Sequence, residues 1–508
     1  MKQGILPFQY EQEKTSTGMT ALAGLPPYLD LAQVAGLSRS IERHVRLREE
    51  GQGWTDSQMV MSLVLLNLAG GESVDDLRVL EKDEGLCRVL RRAETHGMRR
   101  RERRATERRW RMERRRSVPS PSAVFRYLSG FHDDEEEDRR QAHTAFIPSA
   151  NEALAGLGRV NGDLVAFVQS RMPHNQATLD MDATLVETEK TEALYSYKKY
   201  KAYQPLTTYW AEADLILHSE FRDGNVPAGY QQLRVLKEAL VHVPDSIGKV
   251  LMRSDTAGYQ RELLKYCAED DEDKPFGVIE FAVGVDVTPE FKKAVAQVAE
   301  DDWQMLEREV DGHKVPTDQQ WAEVCFVPNW IGHSKKNPDY RFIGIREPLR
   351  QKPLTGMEEQ LDLPFPTMEL ADKGWYKVFG VVTNRDLAGD ELIWWYRQRC
   401  GKSEEAHGVL KEDLAAGRLP SGRFGANAAW WGIAVLAFNL NSAMKQLALG
   451  TEWVSKRLKA VRFAIICLPG RVVRRARTLI IRLTRDHPSY ELLVRARQRI
   501  LALAHGPP

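Results

Sequence analysis

The 508-residue sequence predicts an α/β protein in which a core of strands and helices, interrupted by a mostly β insertion, lies between a helical, arginine-rich N-terminal region and a basic C-terminal region. Three observations carry this prediction. Strand-like runs at 176–186, 206–210 and 214–218 are followed by a helical pattern at 230–242 and another apolar strand at 249–255. Ahead of them, apolar residues recur at helical spacing from Trp54 to Leu90. The net charge of +1 conceals strong segregation, with one highly basic segment towards each end of the chain.

Composition bounds the class. An apolar content of 43% suffices for large cores, and the length suits about two to four domains. Cys87, Cys267, Cys325, Cys400 and Cys467 are scattered, without a CxxC pair or zinc-ligand spacing, which fits a reducing cytoplasm and argues against a disulfide framework. The opening MKQGILPFQYEQEK has no long apolar run, so no signal peptide is expected. The most apolar run, Ala428–Leu440, is too short to span a bilayer and reads as a buried helix. A soluble, cytoplasmic protein without a membrane partner is expected.

In chain order, MVMSLVLLNLAG (59–70) reads as a core helix closed by Gly70–Gly71. SVDDLRVL (73–80) reads as the next, capped by Ser73. Residues 88–116 hold 14 arginines, among them Arg99, Arg100, Arg101, Arg103 and Arg104, against four glutamates. Burying even one unpaired charge is costly, so this segment is solvated or bound to a polyanion such as duplex DNA. Ser120 or Ser122 caps a short helix carrying Arg126 and Tyr127, a weak match to a helix-turn-helix recognition element. DDEEED (133–138) reads as a loop, and 150–169 as a helix.

The β, β, β, α, β order that follows, over 170–258, resembles the first half of a ribonuclease-H-like fold. Residues 259–375 read as a mixed, largely β insertion, with strands at 276–285, 321–328 and 340–347 and a helix at 289–304. The second half of the core would occupy 376–450. It begins with a strand, 376–383, and continues into a single helix, WWYRQRCGKSEEAHGVLK (394–411), placing Glu404, His407 and Lys411 on one face. The 451–508 tail is basic again, and VVRRARTLIIRL (472–483) reads as one strand.

Asp180 and Asp182, two apart on the first strand, point the same way, so either can face a site. Asp255 ends the strand KVLMRSD, and Glu404 lies on the late helix. Carboxylates from a central strand, its neighbour and a helix can converge on a pair of hard metal ions.

The ordered set LDMDAT (179–184), MRSDTAGY (252–259), VVTNRD (381–386) and YRQRCGKSEEAHGVLK (396–411) resembles the DDE transposases of bacterial insertion sequences. Within these it is similar to the superfamily with a Y-R-E-K motif, and most like insertion sequence family 1380. The resemblance covers about 54–500. It implies Asp182, Asp255 and Glu404 as the catalytic, metal-binding acids, with Asp180 as the reserve for the first. It implies two Mg²⁺ ions, with Mn²⁺ as a substitute, and Tyr396, Arg399 and Lys411 as phosphate-holding residues. The partners implied are the terminal inverted repeats and target DNA, gripped by a homodimer. The family spacing Y-x2-R-x3-E-x6-K departs here: its acid position is Ser403, and one extra residue lies within 400–403, which leaves Glu404 and Glu405 both open. Relatives that pass through a hairpin hold a flipped base on an aromatic, for which Trp303, Trp321 and Trp330 are the candidates.

Overall fold

The computed structural model describes residues 18–47, 53–113, 116–141, 144–271, 274–330, 340–349, 365–370, 374–476 and 478–504. The chain forms two compact units: one from residues 139–148 and 168–408, the other from 1–138, 149–167 and 409–508.

The first unit is built on a ten-stranded mixed sheet. Its strands are β1 (Gln176–Ala183), β2 (Leu206–Trp210), β3 (Leu215–Glu220), β4 (Lys249–Ser254), β5 (Glu280–Gly284), β6 (Gln304–Val310), β7 (His313–Glu323), β8 (Arg341–Pro348), β9 (Thr367–Leu370) and β10 (Gly374–Thr383). They lie in the order β3-β2-β1-β4-β5-β10-β8-β7-β6, with β9 paired to the start of β10. β1, β4 and β5 are parallel, and the remaining pairs are antiparallel. The strands of 259–375 therefore extend the same sheet, because β10 pairs β5 through Val381–Thr383 and β8 along its whole length.

Central β1 is covered on both sides, so alternation shows as a change of chemistry. Ala177, Leu179 and Met181 share one face, while Thr178, Asp180 and Asp182 share the other. β4 repeats this: Leu251, Arg253 and Asp255 alternate with Val250, Met252 and Ser254. Helix α1 (Gly389–Arg397) packs Leu392 and Ile393 into a core with Ala282, Leu306, Trp321, Ile343, Ile345 and Val381. The expected helix at 289–304 is shorter, Pro289–Ala296, and its end has become the start of β6.

The second unit is mainly helical. Thr55 and Gln58 form a capping box for Asp56–Ala69, and Gly70, at φ 92°, closes that helix as its left-handed cap. The helix Phe424–Ala443 packs on it and is buried almost throughout, as its apolar run predicts. Its polar residues are matched inside: Asn439 donates to Asn161 at 2.7 Å, and Asn441 accepts from the Tyr28 hydroxyl at 2.8 Å. Among the described residues no helix is long and apolar enough to cross a membrane.

Two readings are corrected in this unit. The expected strand over 472–483 is a hairpin, Gly470–Arg475 and Thr478–Arg482, turning at Ala476 with φ 52°. The expected loop 133–138 contains a short helix, Asp134–Asp138, because Asp133 accepts backbone N–H groups of its first turn.

Candidate functional site

The site grows from the register of two parallel strands. Asp180 lies opposite Arg253, and Met181 opposite Ser254. Asp182 and Asp255 come next on each chain, so two carboxylates meet at adjacent strand ends. Asp255 also caps the turn Thr256–Gly258 by accepting the Ala257 N–H at 3.0 Å.

Asp180 is separated from this pair. It is fully buried and accepts two hydrogen bonds from Arg253, Nε to Oδ1 at 2.6 Å and Nη2 to Oδ2 at 2.8 Å. Burial raises its pKa, and Arg253 opposes the rise.

Asp182 keeps a small opening to solvent, with its side chain 15% exposed. Arg399 Nη1 lies 3.8 Å from its Oδ1. On Oδ2, Ser403 Oγ donates at 3.3 Å and His407 Nδ1 lies 3.7 Å away. Burial pushes the Asp182 carboxyl up to about 6; Arg399 opposes this and the Asp255 charge adds to it. Because the folded-state pKa is raised, the metal-free fold favours protonated Asp182 and loses stability as the pH rises from about 4 through 6. Asp182→Asn is expected to remove that loss, becoming more stable than wild type by roughly 2–3 kcal/mol at pH 7 but not at pH 4. Urea unfolding at both pH values, with chelator present, reads this out; a gap unchanged by pH would refute it.

Arg399 is nearly buried, and burial would lower its pKa. Tyr396, Asp182 and Asp255 outweigh that and hold it above the usual arginine range. Its guanidinium sits 5.7 Å from the centre of the Tyr396 ring. Burial likewise raises the Tyr396 phenol, while Arg399 opposes. Gly284 makes room for Tyr396: a Cβ there would lie 2.9 Å from the phenol oxygen and 3.1 Å from the Thr256 nitrogen. The site thus combines the carboxylates of Asp182 and Asp255, the Arg399 guanidinium and the Tyr396 phenol with the Ser403 hydroxyl and the His407 imidazole.

The expected single helix over 394–411 is three pieces. α1 ends at Arg397, and the next segment, α2 (Arg399–Gly408), is broken at Cys400 and Gly401, where Gly401 has φ 101°. A π-turn, Val409–Asp413, follows. The break lies within 400–403, and at Gly401 glycine tolerates a left-handed backbone that other residues resist. Ser403 and His407, one helical turn apart, are the buried residues that meet Asp182, whereas Glu404 and Glu405 are exposed. The expected common face of Glu404 and His407 is therefore not kept in burial. Lys411 lies on the π-turn, in the helical unit.

A hydrated Mg²⁺ is typically held by one or two carboxylates plus substrate phosphates. The Asp182–Asp255 pair fits that donor chemistry. Among the described residues no three His, Cys, Asp or Glu side chains are grouped closely enough to hold a metal ion, and Glu404 is exposed on α2.

The other expected residues lie elsewhere. Arg100, Arg101, Arg103 and Arg104 are on the helix Arg100–Glu113, with Arg99 just before it; all are exposed except the half-buried Arg103. Arg126 is exposed on the helix Pro121–Ser129, which Ser120 caps by accepting the Ala123 N–H. Of the three tryptophans, Trp303 and Trp321 are buried, the former under Arg346 at 4.2 Å, and Trp330 is half-buried against Tyr259. Arg253, Ser403 and His407 were not among the expected site residues. Arg253 had a signal, a charged residue inside the apolar strand KVLMRSD, where burial demands a partner.

The described chain thus combines a mixed sheet, two strand-end acids, Asp182 and Asp255, and Arg399 beside Asp182. The family model described as Transposase DDE domain group 1 matches residues 13–505, and the chain belongs to that family. Members of this family normally use divalent metals. No curated protein matches the chain. Among solved structures, it is similar to a piggyBac transposase in the cryo-EM structure of a synaptic complex with hairpin DNA. The identity is 10% and the TM-score 0.41, over 96% of this chain and 83% of that one.

Proposed function

We propose that this transposase binds the terminal inverted repeats of a bacterial insertion sequence, of family 1380, and catalyses metal-dependent strand cleavage and strand transfer. The observation that carries the reading is the meeting of Asp182 and Asp255 at adjacent parallel strand ends, beside Arg399 and Tyr396. The strand order β3-β2-β1-β4-β5, with β4 and β5 parallel to β1, supports a ribonuclease-H-like core.

Asp182 and Asp255 would hold Mg²⁺, two ions in the active assembly with Mn²⁺ as a substitute, and Glu404 is the third acid on family spacing. When bound, the ions supply nucleophile activation and leaving-oxygen stabilisation for in-line attack on a phosphodiester. The chain's own groups bind and orient. Arg399 presents a planar fork suited to phosphate oxygens. Tyr396 and Lys411 hold backbone phosphates, and Arg99–Arg104 with Arg126 grip the duplex. A homodimer acting on both ends of the element, in the cytoplasm and at the nucleoid, completes the reading.

End-labelled inverted-repeat DNA incubated with protein and Mg²⁺ tests it. Strand joining is expected. Nicking without joining would make the protein a nuclease, and a mobility shift without cleavage would make it a DNA-binding protein. Replacing Arg99, Arg100, Arg101, Arg103 and Arg104 by Gln is expected to flatten the salt dependence of binding, by about 0.9 in the log–log slope for each phosphate no longer neutralised. An unchanged slope, measured by anisotropy across a salt series, would remove this helix from the DNA interface.

A further inference from the structure

We infer that Arg253 is the positioning residue of the site: its single buried guanidinium ties together the strand leading to Asp182, the strand leading to Asp255 and the helix carrying Tyr396. This rests on the DNA-cleaving reading above.

Arg253 is 1% exposed and Asp180 is fully buried. Two of the guanidinium's donors go to the two Asp180 oxygens, across the β1–β4 register. A third, Nη1, donates to the carbonyl oxygen of Trp395 at 2.6 Å. The guanidinium also lies 5.1 Å from the centre of the Trp395 ring, and Arg385 lies 4.2 Å from it. Arg385 is itself tied to β5, with its Nε 2.8 Å from Glu280 Oε2.

The geometry places this anchor one layer beneath the reacting groups. Residues two apart on a strand share a face, so Asp182 stands directly beyond Asp180, and Asp255 beyond Arg253. Trp395 directly precedes Tyr396, and Arg399 follows four residues on. A slip of either strand or of α1 would move Asp182, Asp255 and Tyr396 relative to one another. Only a fork of several N–H donors at fixed angles spans all three anchor points; a lysine ammonium is a point donor on a flexible stem. Stability alone does not require such a pair, because buried ion pairs can often be replaced by apolar residues of similar volume without loss. Holding a carboxylate's orientation, in contrast, has a measurable signature in metal affinity.

The experiment therefore separates fold from positioning. The full-length Asp180→Leu/Arg253→Met double variant removes both charges together, and Arg253→Lys keeps the charge but not the fork. Each is compared with wild type in thermal melting, in Mn²⁺ affinity by electron paramagnetic resonance without DNA, and in cleavage of end-labelled inverted-repeat DNA. The double variant is expected to melt close to wild type while Mn²⁺ affinity and cleavage each fall about 10- to 100-fold, and Arg253→Lys is expected not to restore them. A folded double variant with wild-type Mn²⁺ affinity and cleavage would overturn the inference. Should the double variant not fold, Arg253→Lys decides: wild-type Mn²⁺ affinity and cleavage overturn the inference, and loss of both in a protein that still melts cooperatively supports it. Failure of wild type itself to bind Mn²⁺ or cut DNA would instead overturn the functional reading, so the two failures are distinct.

Discussion

Asp255→Asn is expected to lower inverted-repeat cleavage on the order of a thousand-fold, equivalent to about 4 kcal/mol of barrier, while leaving DNA binding and melting near wild type. Asp255 is half-buried at the end of β4, and its side chain accepts one backbone N–H, which an Asn carbonyl can also accept. The substitution therefore keeps the local turn and removes the negative charge that a divalent ion needs. Asp182→Asn should give a loss of the same size. Asp180→Asn should not act by removing a metal ligand, because Asp180 is held by Arg253 inside the sheet; any loss it causes comes through that anchor. The same assay with Glu404→Gln and Glu405→Gln identifies the third acid. Only one of the two should match the Asp255 loss, and family spacing favours Glu404. Cleavage at wild-type rate by Asp255→Asn would show that the site lies elsewhere.

Trp430→Ala is expected to destabilise the helical unit by about 3–5 kcal/mol. Trp430 is fully buried in the helix Phe424–Ala443, and its indole N–H donates to the carbonyl oxygen of Ala415 at 2.9 Å. The substitution opens a cavity and removes one of the two hydrogen bonds to that carbonyl, which keeps the Arg418 N–H at 3.0 Å, so the cavity is the main penalty. The chain has two compact units, so a single unfolding curve is ambiguous. Hydrogen exchange resolves this, with accelerated exchange expected in Asp56–Ala69 and Phe424–Ala443. A change below about 1 kcal/mol there would mean that this helix does not hold the unit's core.

Local patterns in the chain were enough for much of the sheet. Leu206–Trp210 forms a strand over the predicted residues, and the strands near 176, 215 and 249 differ from prediction only at their ends. Apolar periodicity is a local property, so it can be read without knowing what the strand faces. The buried helix around Ala428–Leu440 was legible for the same reason. The hairpin at 470–482 was not, because both halves mix apolar residues with arginine and its turn residue is an alanine, which carries no turn signal.

The transposase class could be read from the resemblance of four ordered stretches of sequence to DDE transposases, and the family model agrees with it. Which acid is held where is set by the folded chain. Asp180 and Asp182 have the same parity on one strand, and alternation cannot tell them apart. The β1–β4 register does, by setting Asp180 against Arg253 and leaving Asp182 beside Asp255, Arg399 and Ser403. The break at Cys400–Gly401 likewise turns Ser403 and His407, rather than Glu404, towards Asp182. Register and helix phase depend on pairings between residues more than 70 positions apart, such as Asp180 with Arg253, and no local pattern records them.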